Sequence, residues 1–360
     1  MNLDMGFIII LIPFLIAFLA VAIFTPFIRR ILLNANITDN PIVSEHSHKQ
    51  GTPTMGGLAI LLGMLFILSI YSSNKILVIS VALMLVAAIV GLLDDLLGLR
   101  TKEFQKVVRN ITNQAVELGR LTLKPGEEAR VATPKAKKEL DKLVNQNKVD
   151  VIREVPIKSE IKEREKILSQ ILVSLVLVAS GAIPFTLSGF QFGLLAIPIA
   201  IIGVVGAINA VNLIDGMDGL AAGVMGIASL ACAIFSILTG RWDVSVVFMA
   251  LAGLCFGFLV HNKIPASIFM GDTGAFALGG VYAAAAILGN LIPFAVVAIT
   301  VPILSVIISL MHRSGIIKLP VEPLHHTLHY KGLSEGKIVA LYWLATLIIC
   351  LVALIIYQLF

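Results

Sequence analysis

Asn209-Ala210-Val211-Asn212-Leu213-Ile214-Asp215-Gly216-Met217-Asp218-Gly219 sets two asparagines and two aspartates between apolar runs, residues 193–208 before it and 220–238 after it. Each run is almost free of charge and long enough to be most of a membrane span. The four polar side chains therefore fall at a membrane boundary. A carboxylate near hydrocarbon costs about 2.5–3.5 kcal/mol on insertion scales, so something must offset Asp215 and Asp218. If the turn is helical these two share a face, as do Asn209 and Asn212. Gly216 and Gly219 permit a tight turn or a close backbone approach. That suits a pocket for a phosphate, a metal or both; a polar loop with incidental acids is the plainer alternative.

Working outward, the 360 residues are 58% hydrophobic and 14% charged, with a mean hydropathy of +0.96. Such a chain is too apolar to fold as an ordinary soluble domain. The expected fold is an all-α integral membrane protein of about ten transmembrane helices, near 6–28, 55–72, 76–96, 167–186, 193–211, 219–239, 246–261, 274–290, 292–312 and 338–359. Residues 1–100 would hold helices one to three, 101–165 a small cytosolic α+β insertion, and 166–360 helices four to ten with their cytosolic loops. The first run is too long, and lacks the small-residue cleavage site, for a removable signal peptide. An even number of spans puts both termini on one side. Of 27 Lys and Arg, only Lys75 and Arg241 fall in loops on that side, leaving 25 opposite. The positive-inside rule then places both termini outside a plasma membrane and the loops around 29–54, 99–166, 212–218, 262–273 and 313–337 in the cytosol. Cys232, Cys255 and Cys350 lie inside predicted spans without CxxC spacing and read as packing residues.

Every other polar motif falls on the same cytosolic face. Gly91-Leu92-Leu93-Asp94-Asp95-Leu96-Leu97-Gly98 ends the third span with adjacent carboxylates, which repel unless a cation lies close by. A proton acceptor and a metal neighbour are their useful roles. Thr52-Pro53-Thr54-Met55-Gly56-Gly57 makes a rigid turn before span two that lets helices or substrate approach closely, while His46 and His48 form only a weak metal pattern. Residues 101–166 hold 16 Lys and Arg against 11 Asp and Glu. They read as a separately folding insertion with a helix near 102–117, a hairpin over 119–132 turning at Lys124-Pro125-Gly126, a helix from Pro134 capped by Thr133, and a strand Val149–Val155. Lys166, opening span four, stands at the membrane level of the acids and could contact a phosphate. Asp272, between Gly271 and Gly274, suits a hard cation with a phosphate nearby. His325, His326 and His329, with Lys331, could grip a pyrophosphate; without Cys partners, zinc fits this loop less well.

Taken together, Asp94-Asp95, the Asn209–Gly219 stretch, Phe269-Met270-Gly271-Asp272-Thr273-Gly274 and His325-His326 resemble the polyprenyl-phosphate N-acetylhexosamine-1-phosphate transferase superfamily, glycosyltransferase family 4, over roughly 20–98 and 166–340. The resemblance implies a magnesium-dependent enzyme, with manganese as an alternative ion. It would join a phospho-N-acetylhexosamine from a UDP-sugar to a polyprenyl phosphate lipid and release UMP. Residue by residue, it implies roles for Asp94 and Asp95 at the lipid phosphate and in proton removal. It implies metal, nucleotide and sugar-phosphate placement for Asn209, Asn212, Asp215 and Asp218, and magnesium binding for Asp272. It puts Asn262 on the nucleotide side and makes Lys166, His325 and His326 substrate-binding. Thr52–Gly57, Pro323-Leu324-His325-His326 and Lys331-Gly332 look like the pentapeptide transferases. Asn212–Asp215, Met270–Gly274 and His325–Leu328 look more like the N-acetylglucosamine group, and Thr327 stands where a third His is usual. A homodimer is a further expectation, and nothing points to nucleic acid. The rival classes are an ion-coupled transporter or flippase, which more often places its acids at the bilayer midplane, and a catalytically silent homologue.

Overall fold

The computed structural model describes residues 3–38, 51–100, 102–118, 121–131, 134–158, 163–187 and 189–359. The segment with His46 and His48, and the proposed cap Thr133, lie outside them. The chain forms two compact units, one of residues 1–38, 52–95 and 161–360, the other of residues 39–51 and 96–160.

The first unit is helical. In chain order it holds α1 (Leu3–Asn34), α2 (Gly57–Ile70), most of α3 (Lys75–Arg100), α5 (Glu163–Ala179), α6 (Ala196–Ile214), α7 (Leu220–Leu238), α8 (Trp242–Asn262), α9 (Gly271–Leu288), α10 (Ile292–Ala298), α11 (Thr300–Arg313), α12 (Leu324–Tyr330) and α13 (Glu335–Leu359). Seven helices among the described residues are long and apolar enough to cross a membrane, and α10 with α11, bent by 72°, would make an eighth. Length and composition therefore support a multi-pass membrane protein but not the full count of ten. The helix α2 has 14 residues and α5 has 17, short of the ~20 that a ~30 Å core asks for. The expected span 167–186 is shorter than its apolar run, because the chain turns out of α5 into a small hairpin pairing Thr186–Leu187 with Phe190–Gln191. The most enclosed helices are α7, α8 and α9, with 72%, 72% and 83% of their apolar windows buried. Small residues line them, so neighbouring backbones approach closely, the usual solution where lipid supplies no hydrophobic drive between helices.

The second unit is a small α+β fold. Strand β1 (Lys102–Asn110) is central, with β4 (Glu128–Arg130) antiparallel on one side and β5 (Val149–Lys158) on the other. Strands β2 (Val116–Leu118) and β3 (Leu121–Leu123) form a separate pair, and α4 runs from Pro134 to Asn145. Val108, Val116, Leu118, Leu123, Val131, Ala136, Leu140 and Val149 make its core. The helix expected over 102–117 is thus a strand, and the reason is physical. Phe104, Val107, Val108 and Ile111 mimic helical spacing, yet β1 pairs with β5 along its whole length, the extra residue at the Val107/Val108 register shift being Ile152 on β5, and both valines are buried, Val108 in the core cluster. The hairpin expected over 119–132 also differs, since the strands flanking Lys124-Pro125-Gly126 pair with β2 and β1 and not with each other. The helix from Pro134 and the strand from Val149 are where the sequence puts them.

Candidate active site

The helical unit gathers the C-terminal ends of α3, α6 and α8 and the N-terminal ends of α5, α7, α9 and α13. At the centre, Lys166 in the first turn of α5 projects its Nζ between two acids, 2.6 Å from Asp94 Oδ2 and 3.3 Å from Asp272 Oδ2. Asn212 Nδ2 donates to the other oxygen of Asp272 at 2.6 Å. Residues from α3, α5, α6 and α9 are thereby drawn into one cluster.

The neighbouring acid does something else. Asp95 is 1% exposed and points at the start of α9, accepting the Asp272 amide at 3.3 Å on Oδ1. Its Oδ2 takes the Thr273 amide at 3.0 Å and the Thr273 hydroxyl at 2.7 Å. Met270, preceding α9, supplies no side-chain cap. A carboxylate from α3 stands where a capping Ser, Thr or Asp would, satisfying orphan amides and complementing the positive end of the helix dipole. Adjacent helix positions do not face each other, and Asp94 and Asp95 accordingly take two different tasks. The start of α9 is further clamped by the Thr52–Gly57 turn: Phe269 donates to the Pro53 carbonyl at 2.8 Å, and Gly56 and Gly57 donate to Phe269 and Met270 at 2.8 and 2.9 Å. At Gly91 a Cβ would collide with the Asp272 carbonyl, so glycine there sets how closely α3 and α9 can approach.

The Asn209–Gly219 stretch is helix followed by turn. Asn209 and Asn212 lie on α6, where Asn209 Nδ2 donates to Gln170 Oε1 at 2.5 Å, so it braces α6 against α5. The helix ends at Asp215, whose φ of −79° and ψ of 41° leave the helical region, and α7 starts after Gly219, held at φ +75°. Asp215 and Asp218 therefore belong to a turn, and the shared helical face drawn from their spacing does not form. Asp218 Oδ2 accepts the Ala266 amide at 2.9 Å. Asn262 is 3% exposed and uses both ends of its amide within the protein: Oδ1 accepts from Gly219 N–H at 3.0 Å and Nδ2 donates to the Ile268 carbonyl at 2.9 Å.

The histidines reach the same region. His325, fully buried, and His326 have ring centroids 4.5 Å apart. A Cβ on Gly216 would stand 2.6 Å from His325 Nε2 and 3.2 Å from His326 Nε2. The end of α6 thus links the two groups, with Asn212 on Asp272 and Gly216, four residues on, under the imidazoles. His329 instead sits 3.0 Å from the Leu333 carbonyl through Nδ1, at the close of α12. Gln170, Thr273, Glu335 and Trp343 complete the surroundings; Thr273 belongs to the Phe269–Gly274 motif and Gln170 is a polar residue early in an apolar span, whereas Glu335 and Trp343 carry no motif of their own.

Among the described residues no group of three or more His, Cys, Asp or Glu could hold a metal ion. The donor set nevertheless fits magnesium, which commonly takes one or two carboxylates and completes its octahedron with water and substrate phosphates. Asp94 and Asp272 converge on one cation already, and one ammonium between two carboxylates leaves a net negative charge that anionic phosphates could not approach unaided.

Residues 150–290 match the sequence model of glycosyl transferase family 4, and residues 49–61 match signature 1 of the phospho-N-acetylmuramoyl-pentapeptide-transferases. A Methanothermobacter thermautotrophicus protein provisionally named a phospho-N-acetylmuramoyl-pentapeptide-transferase is 59% identical over 344 residues, covering 96% of this chain and 97% of the other. The phospho-N-acetylmuramoyl-pentapeptide-transferase of Halalkalibacterium halodurans is 32% identical over 360 residues, covering 96% and 95%. That of Geobacillus kaustophilus is 31% identical over 354 residues, covering 95% of each.

Proposed function

Because the chain belongs to glycosyl transferase family 4, alongside the phospho-N-acetylmuramoyl-pentapeptide-transferases, we propose that it transfers a phospho-N-acetylhexosamine from a UDP-sugar to a polyprenyl phosphate. The sugar would be N-acetylmuramoyl-pentapeptide, as in the relatives' name, or a close variant of it. The products are the polyprenyl-diphospho-sugar and UMP, the first membrane step of cell-wall assembly. The observation that carries the reading is the meeting of Asp94 and Asp272, from helices far apart in the chain, on the ammonium of Lys166.

In the reaction a phosphate oxygen of the lipid attacks the β-phosphorus of the UDP-sugar. A new P–O bond forms as the bond from that phosphorus to the bridging oxygen breaks, and the electron pair leaves with UMP. Asp94 takes the proton of a monoprotonated lipid phosphate; Asp95 is less free to do so, since its oxygens serve the α9 amides. Lys166, beside Asp94, offers positive charge to the incoming phosphates. Asn212 fixes the rotamer of Asp272. His325 and His326 present ring nitrogens toward the Gly216 end of the turn, where a sugar phosphate or pyrophosphate would be hydrogen-bonded. Asp272 would hold magnesium, with manganese as the alternative, and Asp215, three residues beyond Asn212, would contribute. When bound, that ion neutralises the pyrophosphate as charge builds on the leaving group. The reading places the site on the cytosolic face, where the basic loops lie.

The test is release of UMP by the purified chain in detergent. UDP-N-acetylmuramoyl-pentapeptide and UDP-N-acetylglucosamine are each offered with polyprenyl phosphate, with and without magnesium or manganese, and the lipid product is identified by mass spectrometry. Turnover with one of them is expected; none with either would refute the proposal.

A further inference from the structure

The Asp215–Gly219 turn is fixed by hydrogen bonds from several elements, and two of them come from α13, which the chemistry above leaves unused. The Asp218 amide donates to Glu335 Oε1 at 2.9 Å, and Trp343 Nε1 donates to the Gly219 carbonyl at 3.2 Å. Glu335 opens α13, and Trp343 stands little more than two turns further along; both are half-buried. The Trp343 indole also lies against Gly223 in the first turn of α7, where a Cβ would collide with it. Across the turn, Asn262 accepts the Gly219 amide and Asp218 accepts the Ala266 amide. The loop is therefore gripped from both sides, by the last helix of the chain on one and by the α8–α9 connection on the other.

We infer that Glu335 and Trp343 are positioning residues: they hold the Asp215–Gly219 turn, and with it Asp218 and the backbone under His325 and His326, at the reacting phosphates. The inference rests on the proposed transfer reaction. Its physical content is that Glu335 acts as an acceptor for one amide. A glutamine in its place keeps that acceptor, an alanine removes it, and an aspartate draws it back by one methylene. Trp343 acts as a donor to one carbonyl, which phenylalanine lacks while still filling the space beside Gly223.

The experiment combines two readouts on the full chain in detergent: hydrogen exchange at the Asp218 amide, and kcat and KM for UDP-sugar and polyprenyl phosphate. Glu335→Ala is expected to speed exchange at that amide about tenfold or more. It should lower kcat by about tenfold to a hundredfold through misplacement of the turn, with smaller changes in KM. Glu335→Gln should restore both, Glu335→Asp should fall between, and Trp343→Phe should lower kcat with no loss of fold. If Glu335→Ala does not fold, Glu335→Asp is read in its place. Wild-type exchange and kcat in the variant that is read would overturn the inference. So would a Glu335→Gln variant as impaired as Glu335→Ala, which would make the carboxylate a chemical group and not a brace. If the wild-type chain releases no UMP from any UDP-sugar, the proposed reaction falls, while the exchange data still decide whether α13 holds the turn.

Discussion

Replacing Lys166 with methionine would remove the one ammonium shared by Asp94 and Asp272 while keeping an unbranched side chain of similar length. The Lys166 Nζ lies 2.6 and 3.3 Å from the two carboxylates, and the side chains are 20% exposed for Lys166 and Asp272 and 4% for Asp94. Truncating one partner of a buried, hydrogen-bonded charge pair costs about 2–5 kcal/mol, much of it from leaving the other charge unpaired. The partial exposure of two of the three groups favours the lower half of that range, since water screens what the protein does not. At about 1.4 kcal/mol per decade, a loss of about 2–3 kcal/mol in the transition state lowers kcat/KM about 30–150-fold. UMP release at fixed magnesium, with melting temperature measured in the same detergent, is the assay. Lys166→Arg should lie between, because a planar fork cannot occupy the site of a compact ammonium. Adding Asp94→Asn to Lys166→Met should restore melting temperature, by removing the stranded charge, without restoring turnover. A folded Lys166→Met chain within about threefold of wild-type kcat/KM, a difference of under 1 kcal/mol, would refute the idea that this ammonium compensates the two acids.

Other substitutions separate scaffold from chemistry. Asp95→Asn weakens the cap of α9 and should cost about 1–2 kcal/mol, seen as a lower melting temperature, whereas Asp94→Asn should lower kcat about a hundredfold or more with a smaller thermal effect. Gly91→Ala places a methyl against the Asp272 carbonyl; such overpacking costs about 1–3 kcal/mol and should lower both melting temperature and turnover. Replacing residues 103–157 by a short Gly-Ser linker should leave UMP release intact, because every candidate site residue belongs to the helical unit. A large loss of kcat there would show that the insertion takes part in the reaction.

The helical unit was legible because apolar runs of span length leave few other folds, and the basic residues crowd into alternate loops. Asp94, Lys166, Asn212 and Asp272 could be named from sequence, since charged and amide groups beside hydrocarbon need a reason to be there. Their division of labour could not be. Asp94 and Asp95 are neighbours with identical side chains, and only the direction of α3 past the start of α9 decides which one caps a helix and which one meets Lys166. Asp215 and Asp218 were read through helical periodicity, which fails where Gly219 takes a positive φ and the chain turns. The insertion misled for a related reason: Phe104, Val107, Val108 and Ile111 have a helix's spacing, and only the pairing of β1 with β5, some forty residues further along, makes a strand the better arrangement. Glu335 and Trp343 act on backbone amides and carbonyls, which leave no pattern in side-chain order.

The trans cap on α9 has an electrostatic corollary. Free helix N-termini are ready receptors for phosphoryl oxygens, yet here the Asp272 and Thr273 amides already face a carboxylate. An arriving diphosphate meets an end whose attraction has been spent internally, and it must find its counter-charge in side chains or in a cation brought with it. Recognition at this mouth therefore depends on mobile or imported positive charge, and should weaken steeply as ionic strength rises.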